Sequence, residues 1–365
     1  MVAVVVVVAV AAIGAWLVLS GGDDPAGGDA GGPEPGPTEG TVVAPLTGLE
    51  VPESEAASLK RPALVAKVDA AAAAMPQVGL AAADVTIEVR VEGIGRYMPA
   101  WHSSVPDEIG PIRSARTSDV DLLGLFVHPL FSYSGGNEGV RAALSEVDWF
   151  SDVGHDAVPD AYRRSERAAA PHNLMAGTGM LFDAATGEPP VALFTYEESG
   201  EESGGAGSSS TTPTASESVP SQGFGVDMGY LVQFSWDRDA GAWRRWVDGD
   251  AHTDPDGAQL APTNVVVLQV EYVASAADPV SPEALSVGSG PVWVYTAGTV
   301  RSGTWERSDP LQPWELRGPG QEVISLEPGR TWVVLAGAPP VELPADQAVS
   351  LDESGAFFEV AQAGR

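Results

Sequence analysis

The sequence predicts a mixed α/β (α+β) N-terminal domain followed by a mainly β C-terminal domain, both behind an N-terminal transmembrane helix. Three observations predict this class. Up to residue 198, strand-like alternation, as in VTIEVRVEG, is interspersed with helix-like apolar spacing, as between Ile112 and Phe126. From residue 225 onward the chain carries alternating, aromatic-rich runs separated by Gly and Pro turns. The first twenty residues, MVAVVVVVAVAAIGAWLVLS, hold no charge and are long enough as a helix to cross about 30 Å of hydrocarbon.

Each element follows in order. Residues 1–20 read as an uncleaved anchor, because the apolar run is long and begins at Met1 without a basic flank; cleavage and secretion is the alternative. Residues 21–44, rich in Gly, Pro and acids, cannot bury apolar surface and form a flexible spacer. The first domain spans 45–198. In it RPALVAKVDA reads as a strand, and MPQVGLAAAD as a turn and short helix. VTIEVRVEG places Val85, Ile87, Val89 and Val91 on one face and Glu88, Arg90 and Glu92 on the other. RYMPAWHSS is the next strand, Pro111 opens a helix running to Phe126, and LFVHPLFSYSGG is a strand ending in a glycine turn. Residues 199–224 form a low-complexity linker. The β domain, 225–340, contains the hairpin YLVQFSWDRDAGAWRRWVDG and the strands NVVVLQVEYV, PVWVYTAGTVRSGTWER and TWVVLAG; residues 341–365 are a tail.

Composition removes several functions. With 365 residues, 44% hydrophobic content and ten tryptophans, the chain can bury a real core. Fifty acidic against nineteen basic residues, a net charge of -31, repel nucleic acid. The absence of cysteine excludes disulfides, thiolate metal sites, a cysteine nucleophile and a lipidated cysteine. His102, His155 and His172 have no metal-ligand spacing, so neither a metal nor another cofactor is expected. Ser134 lacks the glycine pattern of a nucleophile elbow. Trp236, Trp243, Trp246, Trp293 and Trp305 fit cross-strand packing better than a sugar-stacking platform.

The stretch DEIGPIRSARTSD is the most informative. Arg113 and Arg116 fall near a helix start, where cations oppose the macrodipole at a cost of up to about 1 kcal/mol. Two accounts compensate for it. Asp69, Glu88, Glu92 or Asp121 can pair with the guanidiniums, or exposed amides and two forked cations can hold a phosphate, sulfate or carboxylate. Glu88 and Glu92 lie roughly 13 Å apart along a regular strand, beyond the 5–9.5 Å of a glycosidase pair, and read as partners of separate arginines. His172, followed by Asn173, is the best acid/base candidate, with Glu92 as the alternative.

VEGIGRYMPAWHS, then IGPIRSAR, SGGN and YRRSERAAAPHNL, resemble the DUF3048 family of YerB-like extracytoplasmic bacterial lipoproteins. The likeness continues through WDRDAGAWRRWVDGDAHTDPDGAQLAPTNVVV, SGTWERSDP and LEPGRTWVVL, from Pro45 to Leu335. It implies two domains, a mixed α/β one first, and an extracytoplasmic place, which with the apolar run at residues 1–20 reads as single-pass at the cell membrane; it supplies no activity. The polar positions matching the family's motifs are Asp69, Glu88, Glu92, Arg96, Arg113, Arg116 and Asp121, then Gly135, Gly136, Arg164, His172 and Asn173. His252 and Asp254 match a further motif in the second domain. The chain departs from the pattern in lacking the lipidated cysteine, in a shortened VEGIGR, and in Tyr133, which stands where many members carry histidine.

Two functions are compatible with these residues. One is a non-catalytic envelope protein whose Arg/carboxylate pocket recognises a cell-wall glycan, an anionic precursor or an envelope protein. The other is an envelope hydrolase or transferase, with Arg113 and Arg116 stabilising negative charge and His172 or Glu92 moving protons.

Overall fold

The strand Val85–Val91 lies at the centre of the architecture in the computed structural model. Along one edge it pairs antiparallel with Ile94–Trp101 across the two-residue turn Glu92–Gly93. Both turn residues have positive φ, 43° and 77°, the conformation whose twist matches that of the flanking strands. Along its other edge it pairs in parallel with Thr331–Ala336, from the far end of the chain. Thr331–Ala336 in turn lies parallel to Asn264–Gln269, so strands from both halves share one sheet. That sheet has twelve strands. Beyond Ile94–Trp101 it continues through Leu64–Ala66, Leu130–Ser132 and Ser151–Asp152; beyond Asn264–Gln269 it continues through the long hairpin Gly288–Thr296 and Thr299–Arg307.

Both faces of this sheet are covered. Val85, Ile87 and Val89 join a core with Val333 and Leu335, closed by Leu122, Leu123 and Phe126 and by Val140 and Leu144 of the helix Glu138–Ser145. Asn137 caps that helix, its side chain accepting from the Val140 amide at 2.9 Å. On the opposite face, Tyr97, Trp101, Val265, Val267 and Trp332 meet a second antiparallel sheet through Phe224, Val232, Phe234 and Trp243. The strands of that sheet, Gly223–Asp227, Leu231–Asp237 and Ala242–Val247, place Trp236 opposite Trp243. Their rings are 5.0 Å apart, and Trp243 also packs on Phe224 and Tyr295, so these aromatics are core.

The α-helices, Ser118–Leu123, Glu138–Ser145 and Thr178–Ala184, all precede residue 198; from residue 218 on, the described chain is strand and turn. The fold is therefore mixed and strand-rich, with few helices and a mainly β C-terminal region. The described residues are 40–197 and 218–343. The expected anchor at 1–20, most of the spacer and linker, and most of the tail lie outside the described residues. No helix among the described residues is long and apolar enough to cross a membrane. Thr41–Val43, Val219–Pro220 and Val341–Glu342, from the edges of the expected spacer, linker and tail, form strands.

The stretch carrying Arg113 and Arg116 differs from the expected helix. The Gly110–Pro111 peptide is cis, and the helix begins only at Ser118. The backbone between them is committed elsewhere. Ile112 N donates to Leu174 O at 2.6 Å, Arg113 N to Lys67 O at 2.8 Å and Ala115 N to Gly135 O at 2.9 Å, so these amides brace three neighbouring segments and cannot start a helix. Arg113 therefore projects from an extended strap clear of any helix, whereas Arg116 stands at the start of the short helix, its carbonyl accepting from the Asp119 amide at 3.0 Å and its own amide donating to Asp119 Oδ2 at 2.8 Å.

Candidate functional site

Strand pairing places Asp69 opposite Arg96. Asp69 N also donates to Pro111 O at 2.9 Å, which draws the strap alongside and brings in Arg113. The Asp69 carboxylate is fully buried and faces Arg113 Nε at 3.1 Å, Arg96 Nη1 at 3.4 Å and His172 Nδ1 at 2.7 Å. A buried carboxylate is tolerated only with such compensation. Burial holds the Arg96 guanidinium below its usual range, Asp69 opposing the shift.

His172 is partly exposed, and Asp69 fixes its ring through Nδ1, which leaves Nε2 unpaired among the described residues. It lines a cavity of about 170 Å³ between segment 73–78 and loop 165–175. Asn173 shapes that loop. Its Nδ2 donates to Ser165 O and Ala168 O, both at 2.9 Å, and its Oδ1 accepts from Arg164 Nη1 at 2.8 Å.

Behind Asp69 lies a polar network that joins the two halves. Glu88 alternates away from Val85, Ile87 and Val89, which in a one-sided sheet would leave it in water. Here the second sheet covers that face, and Glu88 is fully buried. Arg245 Nη2 meets both its oxygens at 2.8 and 2.9 Å, while Trp332 Nε1 donates at 2.7 Å and Tyr230 OH at 2.5 Å. Burial lowers the Arg245 pKa, but Glu88 together with Tyr97 and Tyr230 outweighs it, and the guanidinium ends above its usual range. Arg245 Nη1 also donates to His252 Nδ1. Arg245 can only donate, so His252 Nδ1 is the acceptor and Nε2–H donates to Gln77 Oε1 at 2.7 Å. Gln77 Nε2 then donates to Asp69 O at 2.8 Å.

This tautomer is neutral. Burial first, and Arg245 second, hold His252 well below its ordinary value. In the unfolded chain the imidazole titrates near about 6.5. Between the folded and unfolded values the unfolded state binds the extra proton, so the stabilising contribution is complete above about 6.5 and is lost as pH falls, by up to about 1.4 kcal/mol per pH unit. The free energy of unfolding measured from pH 6.5 to 5 is expected to fall less steeply in His252→Gln than in the parent, by the equivalent of one proton. Equal slopes would mean that His252 titrates normally in the fold.

The other sequence candidates have separate places. Arg116 lies with Glu92, Nη2 at 2.5 Å from Oε1, and Ser281 Oγ donates to the same carboxylate at 2.6 Å. Burial pushes Glu92 up, but these hydrogen bonds and the Arg116 charge leave it below the usual carboxylate range. Glu88 and Glu92 thus serve different arginines, and among the described residues Arg116 shares no ion-pair partner with Arg113. Asp121 contributes its carbonyl to Arg307 Nη2 at 2.6 Å, while burial raises its carboxyl pKa. Gly135, at φ 101°, supplies the carbonyl that braces Ala115, and Gly136 follows it in the same turn. Asp254 closes a turn with Ala258 and Gly257, its carboxyl also raised by burial. Lys67 and Asp119, not singled out from sequence, form a fully buried pair at 2.5 Å. Gln77, Tyr230, Arg245 and Trp332 were likewise unmarked. The signal for Arg245 was the strand AWRRWV, in which alternation puts it on the face of the core residues Trp243 and Val247.

Two family models match, one described as the N-terminal domain of a protein of unknown function (DUF3048) over residues 46–190 and the other as its C-terminal domain over residues 224–333. A protein named "Putative lipoprotein YerB" from Bacillus subtilis (strain 168) is 26% identical over 246 residues, covering 63% of this chain and 68% of its own. The crystal structure of the YerB protein from Bacillus subtilis superposes with a TM-score of 0.68 at 21% identity, covering 81% of this chain and 97% of that one, which establishes the shared fold. With both family domains matched in order along the same chain, the protein belongs to the DUF3048 family.

Proposed function

We propose that this protein is a membrane-associated, extracytoplasmic envelope component that binds an anionic ligand in the cavity beside His172. The location is supported by the relative's name and by the apolar run at residues 1–20. The observation that carries the ligand reading is the Asp69–His172 contact of 2.7 Å, which orients the imidazole and leaves Nε2 available to a ligand. Arg113, 19% exposed, and Arg164 add positive charge nearby in a chain of net charge -31. A local cationic site in so acidic a protein favours capture of an anion over general attraction to polyanions.

The test is thermal unfolding of the purified full chain with anionic cell-wall fragments and with neutral sugars. Anionic fragments are expected to raise the midpoint of the parent and leave that of His172→Gln unchanged. An equal shift in both proteins, or none in either, sinks the reading. A second reading, acid/base catalysis by His172 in a hydrolase or transferase, is favoured by the same Nδ1 contact, since a neutral ring so held presents a basic Nε2. Turnover of any fragment that is abolished in His172→Gln would select it.

A further inference from the structure

The cavity beside His172 is two-faced. One wall is built from Ala73, Ala74, Met75, Pro76, Val78 and Met175, whose side chains offer no conventional hydrogen-bond donor. The polar lining of the cavity is Ser165, Arg167, His172 and Asn173. In a sequence with 50 acidic residues, no Asp or Glu lines it. The nearest carboxylate in the network, Asp69, lies behind the imidazole, where it is hydrogen-bonded to His172 and the Ala71 amide and ion-paired with Arg96 and Arg113.

These features discriminate among anions. A phosphate or sulfate exposes oxygens in every direction, and those turned toward the Ala/Met/Pro wall would be buried without a donor. A polyol needs several free acceptors as well as donors, whereas the acceptors of the lining, Ser165 Oγ and Asn173 Oδ1, already accept from the Arg167 amide and Arg164 Nη1; a cation needs a carboxylate, and none lines the cavity. A planar carboxylate attached to a small apolar group fits both walls, its oxygens on Arg167 and facing His172 Nε2, which can donate to them only when both ring nitrogens carry a proton, and its carbon against the apolar side. Size narrows the choice. At about 170 Å³ the cavity falls below the roughly 300–1,000 Å³ of pockets that enclose a whole ligand, so it takes the end of a longer molecule.

We infer that the site recognises the free C-terminal carboxylate of a peptide ending in an alanine-sized residue. This rests on the anion-binding reading of the same cavity and names its ligand class. Arg167 is the residue to vary, because it is exposed and its side chain makes no hydrogen bond or ion pair among the described residues, so its replacement leaves the fold intact.

The experiment is calorimetric titration of the full chain with acetyl-Gly-Gly-Ala, its C-terminal amide, N-acetylalanine and inorganic phosphate, repeated on Arg167→Gln. The tripeptide acid is expected to bind saturably. The amide, and the acid on Arg167→Gln, are each expected to be weaker by about ten-fold or more, the loss of one charge-assisted contact. The tripeptide should bind at least as tightly as N-acetylalanine. Equal binding of acid and amide overturns the inference, as does N-acetylalanine binding ten-fold more tightly than the tripeptide. Saturable binding of phosphate without binding of either carboxylate keeps the anion site and overturns the peptide end. Binding of no probe removes the anion-site reading along with it.

Discussion

Replacing Arg245 by methionine is expected to destabilise the folded protein by about 3–5 kcal/mol, measured by denaturant unfolding at pH 7. The reason is the isolation of its partner. Arg245 and Glu88 are both 0% exposed, and a thioether side chain would fill the space while leaving the Glu88 carboxylate buried with only Trp332 and Tyr230 as donors. His252 would lose the donor at Nδ1 at the same time. The double replacement Glu88→Gln with Arg245→Met removes the stranded charge and keeps an amide oxygen for Tyr230 and Trp332. It is expected to recover more than half of the loss, because a buried pair contributes little over an uncharged substitute while half a pair is costly. If Arg245→Met costs less than about 1 kcal/mol, the typical range for solvent-exposed pairs, the network is not sealed from water.

That network also marks where sequence reasoning stopped. The alternation of Val85–Val91, the hairpin around Trp236 and Trp243 and the mainly β character after residue 225 were all legible, because each depends on residues near one another in sequence. The assignment of Glu88 and Glu92 to separate arginines was legible too, from strand rise alone. The identity of the partner was not. Glu88 meets Arg245 across 157 positions and Trp332 across 244, contacts that exist only because Thr331–Ala336 pairs with Val85–Val91. A period of two says which residues share a face and is silent on whether water or a second sheet covers it. The strap at Arg113 shows the converse: the apolar spacing from Ile112 fits a helix, but its amides find partners on Lys67, Gly135 and Leu174, and tertiary bonding overrides local propensity.

Replacing Asp69 by asparagine is expected to cost about 3–5 kcal/mol and to abolish ligand capture at His172. Asparagine retains an oxygen for the Ala71 amide but removes the negative charge that Arg96, Arg113 and His172 share. Arg96, 1% exposed on its side chain, cannot reach water, and it already opposes Arg113, so the two guanidiniums would repel without an anion between them. Adding Arg113→Gln removes one of the opposed cations. The double variant is therefore expected to be more stable than Asp69→Asn alone by more than about 1 kcal/mol, a coupling that independent sites do not show. Its binding should stay lost, since the imidazole is still without the carboxylate that orients it. If the two losses simply add, the four side chains do not act as one charge cluster. If Asp69→Asn keeps the parent's stability and loses binding alone, Asp69 belongs to the site and not to the framework of the fold.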